Sequence, residues 1–87
     1  MEEGLRFDTS VVAWRRVTTA PATIGGVAVP GGAKLMLLLA AAGRDPRRWP
    51  EPDRFDVRRA NAREHLAFGK GIHFCLGAAL ARLQVRI

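Results

Sequence analysis

A single cysteine, no tyrosine, and eight acidic residues against fourteen basic ones set the first limits on this 87-residue chain. One cysteine, Cys75, leaves no partner for a disulfide within the chain. Beside it stand only His65 and His73, so the paired ligand spacing of a zinc site is missing as well. Long apolar runs are also lacking: the longest, Leu35 to Ala42, falls far short of the roughly 20 residues that cross a bilayer. The opening Met1-Glu2-Glu3 has neither the basic nor the apolar region of a secretory signal. These absences predict a cytoplasmic protein with no membrane association, a setting in which an unpaired thiol persists. Aromatics make up only 7%, and no basic helix face is interleaved with stacking rings. The net charge of +6 is therefore not read as a nucleic-acid surface. Hydrophobic content of 48% excludes a disordered tail, and the length allows one small domain with a modest core.

What is present changes character along the chain. Residues 1–6 read as the end of a helix. Residues 11–39 carry strand signals: the run Val11 to Trp14, two short strands around Gly25-Gly26, and Lys34 to Leu39 after the turn at Pro30-Gly31-Gly32. Ala40 to Gly43 is expected to make one helical turn. Gly43, Pro46, Pro50 and Pro52 then forbid regular structure, so residues 43–64 form a long loop, which in a small domain is functional or tightly tethered. From Leu76 the period becomes helical: Leu76, Leu80, Leu83 and Ile87 recur at spacings of four, three and four. A helix is expected over residues 76–87, with both chain ends lying inside helices, as in a piece of a longer protein or a truncated gene product. The fold class is α+β, around a small antiparallel hairpin region.

The chemistry concentrates in residues 68–77, Phe-Gly-Lys-Gly-Ile-His-Phe-Cys-Leu-Gly. The thiol sits between a loop punctuated by Gly69 and Gly71 and the start of the helical pattern. At the amino end of a helix, unpaired N–H groups and the helix dipole favour thiolate over thiol. Glycines let such a loop approach a flat group closely, as a haem-iron ligand requires. A buried, inert cysteine is the ordinary alternative. A Cys/His nucleophile is the other, but His73 lies two residues away with no acidic group to orient it.

The segment Phe68 to Gly77 resembles the haem-binding loop of the cytochromes P-450, the haem-thiolate monooxygenases of soluble bacterial type. Glu3-Gly4-Leu5-Arg6 is similar to that family's Glu-x-x-Arg helix. Arg44-Asp45-Pro46 and Pro52-Asp53-Arg54-Phe55 are similar to its meander, and Ala78 to Arg82 to the helix after the ligand. The resemblance implies that residues 1–87 are the carboxyl-terminal haem-ligand portion of a mainly α parent. It further implies haem b (iron protoporphyrin IX) as cofactor, with Cys75 as its metal ligand. Gly69 and Gly71 would shape the loop, Gly77 would be a further cofactor-binding position, and Phe68 would cover the iron–sulfur bond or serve as a core aromatic. The N–H groups of Leu76 and Gly77 are candidate donors to the sulfur. His73 and Arg16 would hold the propionates, with Arg15 the rival of Arg16, since an arginine fork pairs bidentately with a carboxylate.

Glu3, Arg6 and Arg54 would form a buried structural network that holds the loop. Val12 and Ala13 fall where the family lines its substrate cavity, or else in a plain strand core. Arg63, Lys70, Arg82 and Arg86 would make a basic patch suited to an acidic electron donor, a ferredoxin-type or flavin reductase, or remain ordinary solvated charge. The implied activity of the whole parent is insertion of one oxygen atom of O2 into an organic substrate. The alternative is a truncated, non-enzymatic remnant that binds haem weakly or not at all. The 87-residue chain by itself is expected to fold poorly and to be inactive. Some positions depart from the family pattern: Ser10 replaces a frequent proline, Gly43 an asparagine, Lys70 a histidine and Gln84 a glutamate.

Overall fold

The computed structural model describes residues 1–85, so the expectations for Arg86 and Ile87 lie outside the described residues. Its elements run in the order helix α1 (Glu2–Phe7), strands β1 (Ala13–Val17), β2 (Ala22–Ile24), β3 (Val27–Val29) and β4 (Lys34–Leu38), helix α2 (Leu39–Ala42) and helix α3 (Ala78–Gln84). Single 3₁₀ turns occupy Ala62–Glu64 and Gly71–His73.

Two antiparallel two-stranded sheets are nested. The inner one is the β2–β3 hairpin, with Ile24 opposite Val27 across Gly25-Gly26. Both glycines have positive φ, +56° and +82°, which matches the two-residue turn that follows the twist of the strands. The outer sheet pairs β1 with β4, from Ala13 opposite Leu38 to Val17 opposite Lys34. Thr18 closes its far end: its N–H donates to the Ala33 carbonyl (3.0 Å), and its Oγ1 accepts from the Ala33 N–H (2.9 Å). β1 thus starts at Ala13 rather than Val11 and continues through Arg15 and Arg16. The pairing partner β4 sets this span, and it overrides the apolar run. Alternation along β1 places Trp14 and Arg16 on one face, where the Arg16 guanidinium stacks on the Trp14 ring at 5.2 Å.

The loop from Gly43 to Glu64 is irregular, so its carbonyls need donors from elsewhere. Two arginines supply them. Arg6 of α1, 1% exposed, donates to the carbonyls of Gly43 (2.6 Å), Pro52 (3.0 Å) and Arg54 (3.2 Å). Arg59 donates to those of Pro50 (2.6 Å), Glu51 (3.1 Å) and Arg54 (3.0 Å). Trp49 anchors the middle: it is buried, and its indole N–H donates to the Ala42 carbonyl at 2.8 Å. A side chain at Gly43 would run into the Arg6 carbonyl, which accounts for glycine at that position in this packing. Residues 43–61 are thus irregular but tied down by these donors, and Ala62–Glu64 form a 3₁₀ turn.

Candidate functional site

Glu3 and Arg6, three residues apart on α1, meet through two short hydrogen bonds of 2.7 Å, and both side chains are buried. Glu3 also accepts from the Asp56 backbone N–H (2.9 Å) and from Arg59 Nε (3.2 Å). These donors, Arg6 foremost, hold the Glu3 carboxyl at about 2 against an ordinary 4.5. The third member of the network is Arg59, which corrects the expectation of Arg54. Arg54 contributes only its carbonyl; its side chain is exposed and pairs with Glu51 at 3.2 Å. Position in the Pro52-Asp53-Arg54-Phe55 segment favoured Arg54. The fold turns that arginine to solvent and brings the next arginine-rich stretch back under α1.

The cysteine loop is closed by its own backbone. Gly69 N–H donates to the Leu66 carbonyl (2.8 Å), and Gly69 adopts φ +73°. The Trp14 ring lies so close that a Cβ on Gly69 would stand 2.6 Å from its atoms. Gly71, at φ +74°, opens the 3₁₀ turn into free space. Cys75 N–H then donates to the Phe68 carbonyl at 2.8 Å, closing the loop, and the Cys75 carbonyl accepts from Ala78 N–H at 3.2 Å. The contacts formed at Cys75 therefore run through its own backbone, rather than through Leu76 or Gly77 amides on the sulfur. The thiol is free and half-buried. Leu76 and Gly77 belong to a turn, and the helix begins at Ala78, two residues later than its apolar period suggests. At Gly77 a Cβ would make only an ordinary contact of 3.9 Å with the sulfur.

Beside the loop lies an open groove of about 340 Å³ lined by Ala13, Trp14, Arg15, Arg16 and His73. It joins β1 to the residue two before Cys75, bringing together His73 and both candidate arginines. Arg16 is half-buried and Arg15 exposed. Val12, 59% exposed, does not line this groove, so it separates from Ala13 here. On another side of the loop, a cleft of about 720 Å³ takes in Gly69, Lys70, Gly71 and Phe74, together with Arg63, Asp45 and the ion pair of Arg48 with Glu64. Arg63 and Lys70 of the expected basic patch meet there. Arg82 does not join them: its Nε donates to Glu2 at 2.9 Å. That ion pair corrects its reading as a free surface cation.

Sequence reasoning missed Glu2 and the role of His65. His65 is buried, its Nδ1 accepts from Ala67 N–H (3.1 Å), and its Nε2 faces Glu2 at 2.9 Å. The only sequence signal was the doubled Glu2-Glu3; partners 63 and 80 residues away leave no local spacing to find.

The family model described as cytochrome P-450 matches residues 1–87. The chain belongs to the cytochrome P-450 family. It is 49% identical over 88 residues to the cytochrome P-450 monooxygenase PikC of Streptomyces venezuelae, covering 100% of this chain and 21% of that protein. It is 52% identical to the vitamin D(3) 25-hydroxylase of Pseudonocardia autotrophica, covering 100% of this chain and 22% of that one. Among solved structures it is similar to cytochrome P-450 CREJ, with a TM-score of 0.95 and 49% identity over 98% of this chain and 22% of that one.

The chain spans about a fifth of the length of the relatives it matches. The expectation of a carboxyl-terminal portion is corrected to this coarser statement, because the family match starts at residue 1 and is counted along this chain alone. The α+β class fits the short helices and antiparallel pairs observed. Membership in the family implies a haem cofactor. No helix among the described residues is long and apolar enough to cross a membrane.

The residues present fit such a group. A half-buried sulfur stands on a loop whose two glycines take left-handed conformations, and an open groove two residues away carries Arg16 and His73.

Proposed function

We propose that this chain is the haem-ligand segment of a haem-thiolate monooxygenase. Residues 1–87 would act as one unit, in which residues 43–64 tether residues 68–77. The single observation that carries the reading is the closed loop ending at a free, half-buried Cys75 beside a groove holding Arg16 and His73. Cys75 Sγ would hold the iron of haem b as its thiolate ligand; a coordinating thiol is deprotonated outright. Arg16 and His73 would bind the two propionates, the arginine through its planar fork. Phe68, half-buried against Phe74 at 6.4 Å, would keep water from the sulfur, while Gly69 and Gly71 hold the turn open beneath a flat ligand. Gly77 would leave the space beyond the sulfur clear. Ala13, which lines the groove, would face the substrate side with Val12 at its edge. Glu3, Arg6 and Arg59 would keep the loop in register with α1. Haem, when bound, supplies the metal at which O2 is activated for insertion of one oxygen atom into an organic substrate.

Electrons would arrive from a ferredoxin-type or flavin reductase, and the protein would work in the cytoplasm. A docking face for an acidic donor is supported by Arg63 and Lys70 at the second cleft, where electrostatic steering speeds encounter.

The deciding experiment is haem reconstitution, reduction and exposure to carbon monoxide. The protein carrying this sequence is expected to show the displaced absorption band of a thiolate-ligated ferrous complex, and Cys75→Ser to lose it. A nitrogen-ligand spectrum, or the same band in both proteins, overturns the proposal.

A further inference from the structure

Three side chains that the proposed chemistry does not use converge next to the cysteine loop. Glu2, in the first turn of α1, accepts from Arg82 Nε (2.9 Å) and Nη2 (3.3 Å) of α3 and faces His65 Nε2 at 2.9 Å. All three are withdrawn from solvent: the side chains are 13%, 31% and 2% exposed. The His65 tautomer follows from its partners. Nδ1 accepts the Ala67 N–H, so the proton sits on Nε2 and points to the Glu2 carboxylate. Glu2 is accordingly held below its ordinary value, chiefly by the hydrogen bond from Arg82.

The arrangement has a direction. The Arg82 guanidinium, fixed in orientation by Glu2, lies over the Phe68 ring at 4.8 Å. His65 approaches the same ring at 5.8 Å. Phe68 in turn accepts the Cys75 N–H on its carbonyl. A carboxylate on the first helix thus governs two groups that hold one aromatic ring, and that residue's backbone holds the cysteine. An ion pair that only added stability could end anywhere on α3, whereas this one sets Arg82 over the ring of Phe68, the residue whose carbonyl accepts the Cys75 N–H.

We propose that Glu2, Arg82 and His65 are positioning residues: a clamp that fixes Phe68 and, through it, the height and orientation of Cys75 toward the haem. The proposal rests on the haem-thiolate reading above. It makes the retention of haem and the electronic character of the iron–sulfur bond depend on a carboxylate that touches neither.

The test uses the haem-loaded protein and three readouts: the rate of haem transfer to excess apomyoglobin, the ferric/ferrous potential, and the ferrous–carbon monoxide band. Glu2→Gln and Arg82→Ala are expected to speed haem loss roughly tenfold, the lower end of what an outer-shell partner of a metal ligand is worth. Both should also displace the potential and the band while Cys75 stays bound. Arg82→Lys keeps the charge beside Glu2 but not the planar group over Phe68; it should restore thermal stability without restoring haem retention. In a Phe68→Leu background, Arg82→Ala should change haem loss no further, because the ring through which it acts is gone. Lowered thermal stability with unchanged haem loss, potential and band in Glu2→Gln and Arg82→Lys overturns the clamp and leaves the haem-thiolate reading standing. Absence of the thiolate band in the unsubstituted protein overturns that reading, and the clamp with it.

Discussion

At Gly69 two demands coincide: a left-handed backbone, and a tryptophan ring packed where a side chain would be. Gly71 shares the first demand but not the second, since open space surrounds it. The two glycines are therefore expected to respond differently to the same substitution. A left-handed alanine costs about 1–2 kcal/mol, the whole expected effect of Gly71→Ala. Gly69→Ala must also push Trp14 off the loop and should cost roughly 1–3 kcal/mol more, the usual penalty of overpacking. Denaturant midpoints of the haem-loaded variants check this; equal losses would mean that Trp14 does not rest on the loop. The arginines show the same dependence on surroundings. Arg59 and Arg54 are five residues apart, yet one donates into a buried carboxylate network while the other sits in an exposed pair of the kind worth at most about 1 kcal/mol.

Helix α1, six residues long, is far below the length at which a helix stands alone in water. Its persistence comes from Glu3 and Arg6, whose bonds reach Gly43, Pro52, Arg54, Asp56 and Arg59. Because the folded Glu3 carboxyl lies near 2 and the unfolded one near 4.5, the folded state favours the charged form. The resulting stability, about 3 kcal/mol, is present above the unfolded value and drains away as pH falls from about 4.5 towards 2. In the haem-loaded full-length protein, urea midpoints between pH 6 and pH 2 should fall steeply for the native sequence. Glu3→Gln should start lower and show a distinctly flatter acid limb. Parallel curves for the two proteins would show that another carboxylate carries the acid sensitivity. The β2–β3 hairpin needs no such support to choose its register, which its two-glycine turn already sets.

Taken together, the elements enclose little. The chain measures 45 × 29 × 17 Å, and the buried apolar side chains among the described residues are Leu39, Trp49, Ala62 and Ala78. Leu76, Leu80 and Leu83, which share the helical period, are at least half exposed, as is Ile72 in the ligand loop. Apolar faces of this kind cannot offset the entropy of ordering the backbone. The isolated 87-residue polypeptide is accordingly expected to bind a hydrophobic dye strongly and to melt without a cooperative calorimetric transition. A sharp two-state transition with little dye binding would show that these residues suffice for a fold. The polar networks around α1 make the local geometry definite even so, since satisfied buried ion pairs specify arrangement more reliably than they add stability.

Much of this was legible in the order of residues, wherever the physics is local. Paired glycines announce a tight turn, prolines break the meander, three-residue spacing joins Glu3 to Arg6, and the Phe-Gly-x-Gly-x-His-x-Cys-x-Gly loop marks the candidate ligand and the family. The start of β1 was misjudged because a strand's span depends on its partner, and the start of α3 because apolar period runs on through the turn that precedes it. Arg59 in place of Arg54, Arg82 bound to Glu2, and His65 buried beside them could be settled only in three dimensions. Those partners lie between 56 and 80 residues apart or compete with near-identical neighbours. No periodicity links such groups; the chain must first close its loops before burial and hydrogen-bond geometry can choose among them.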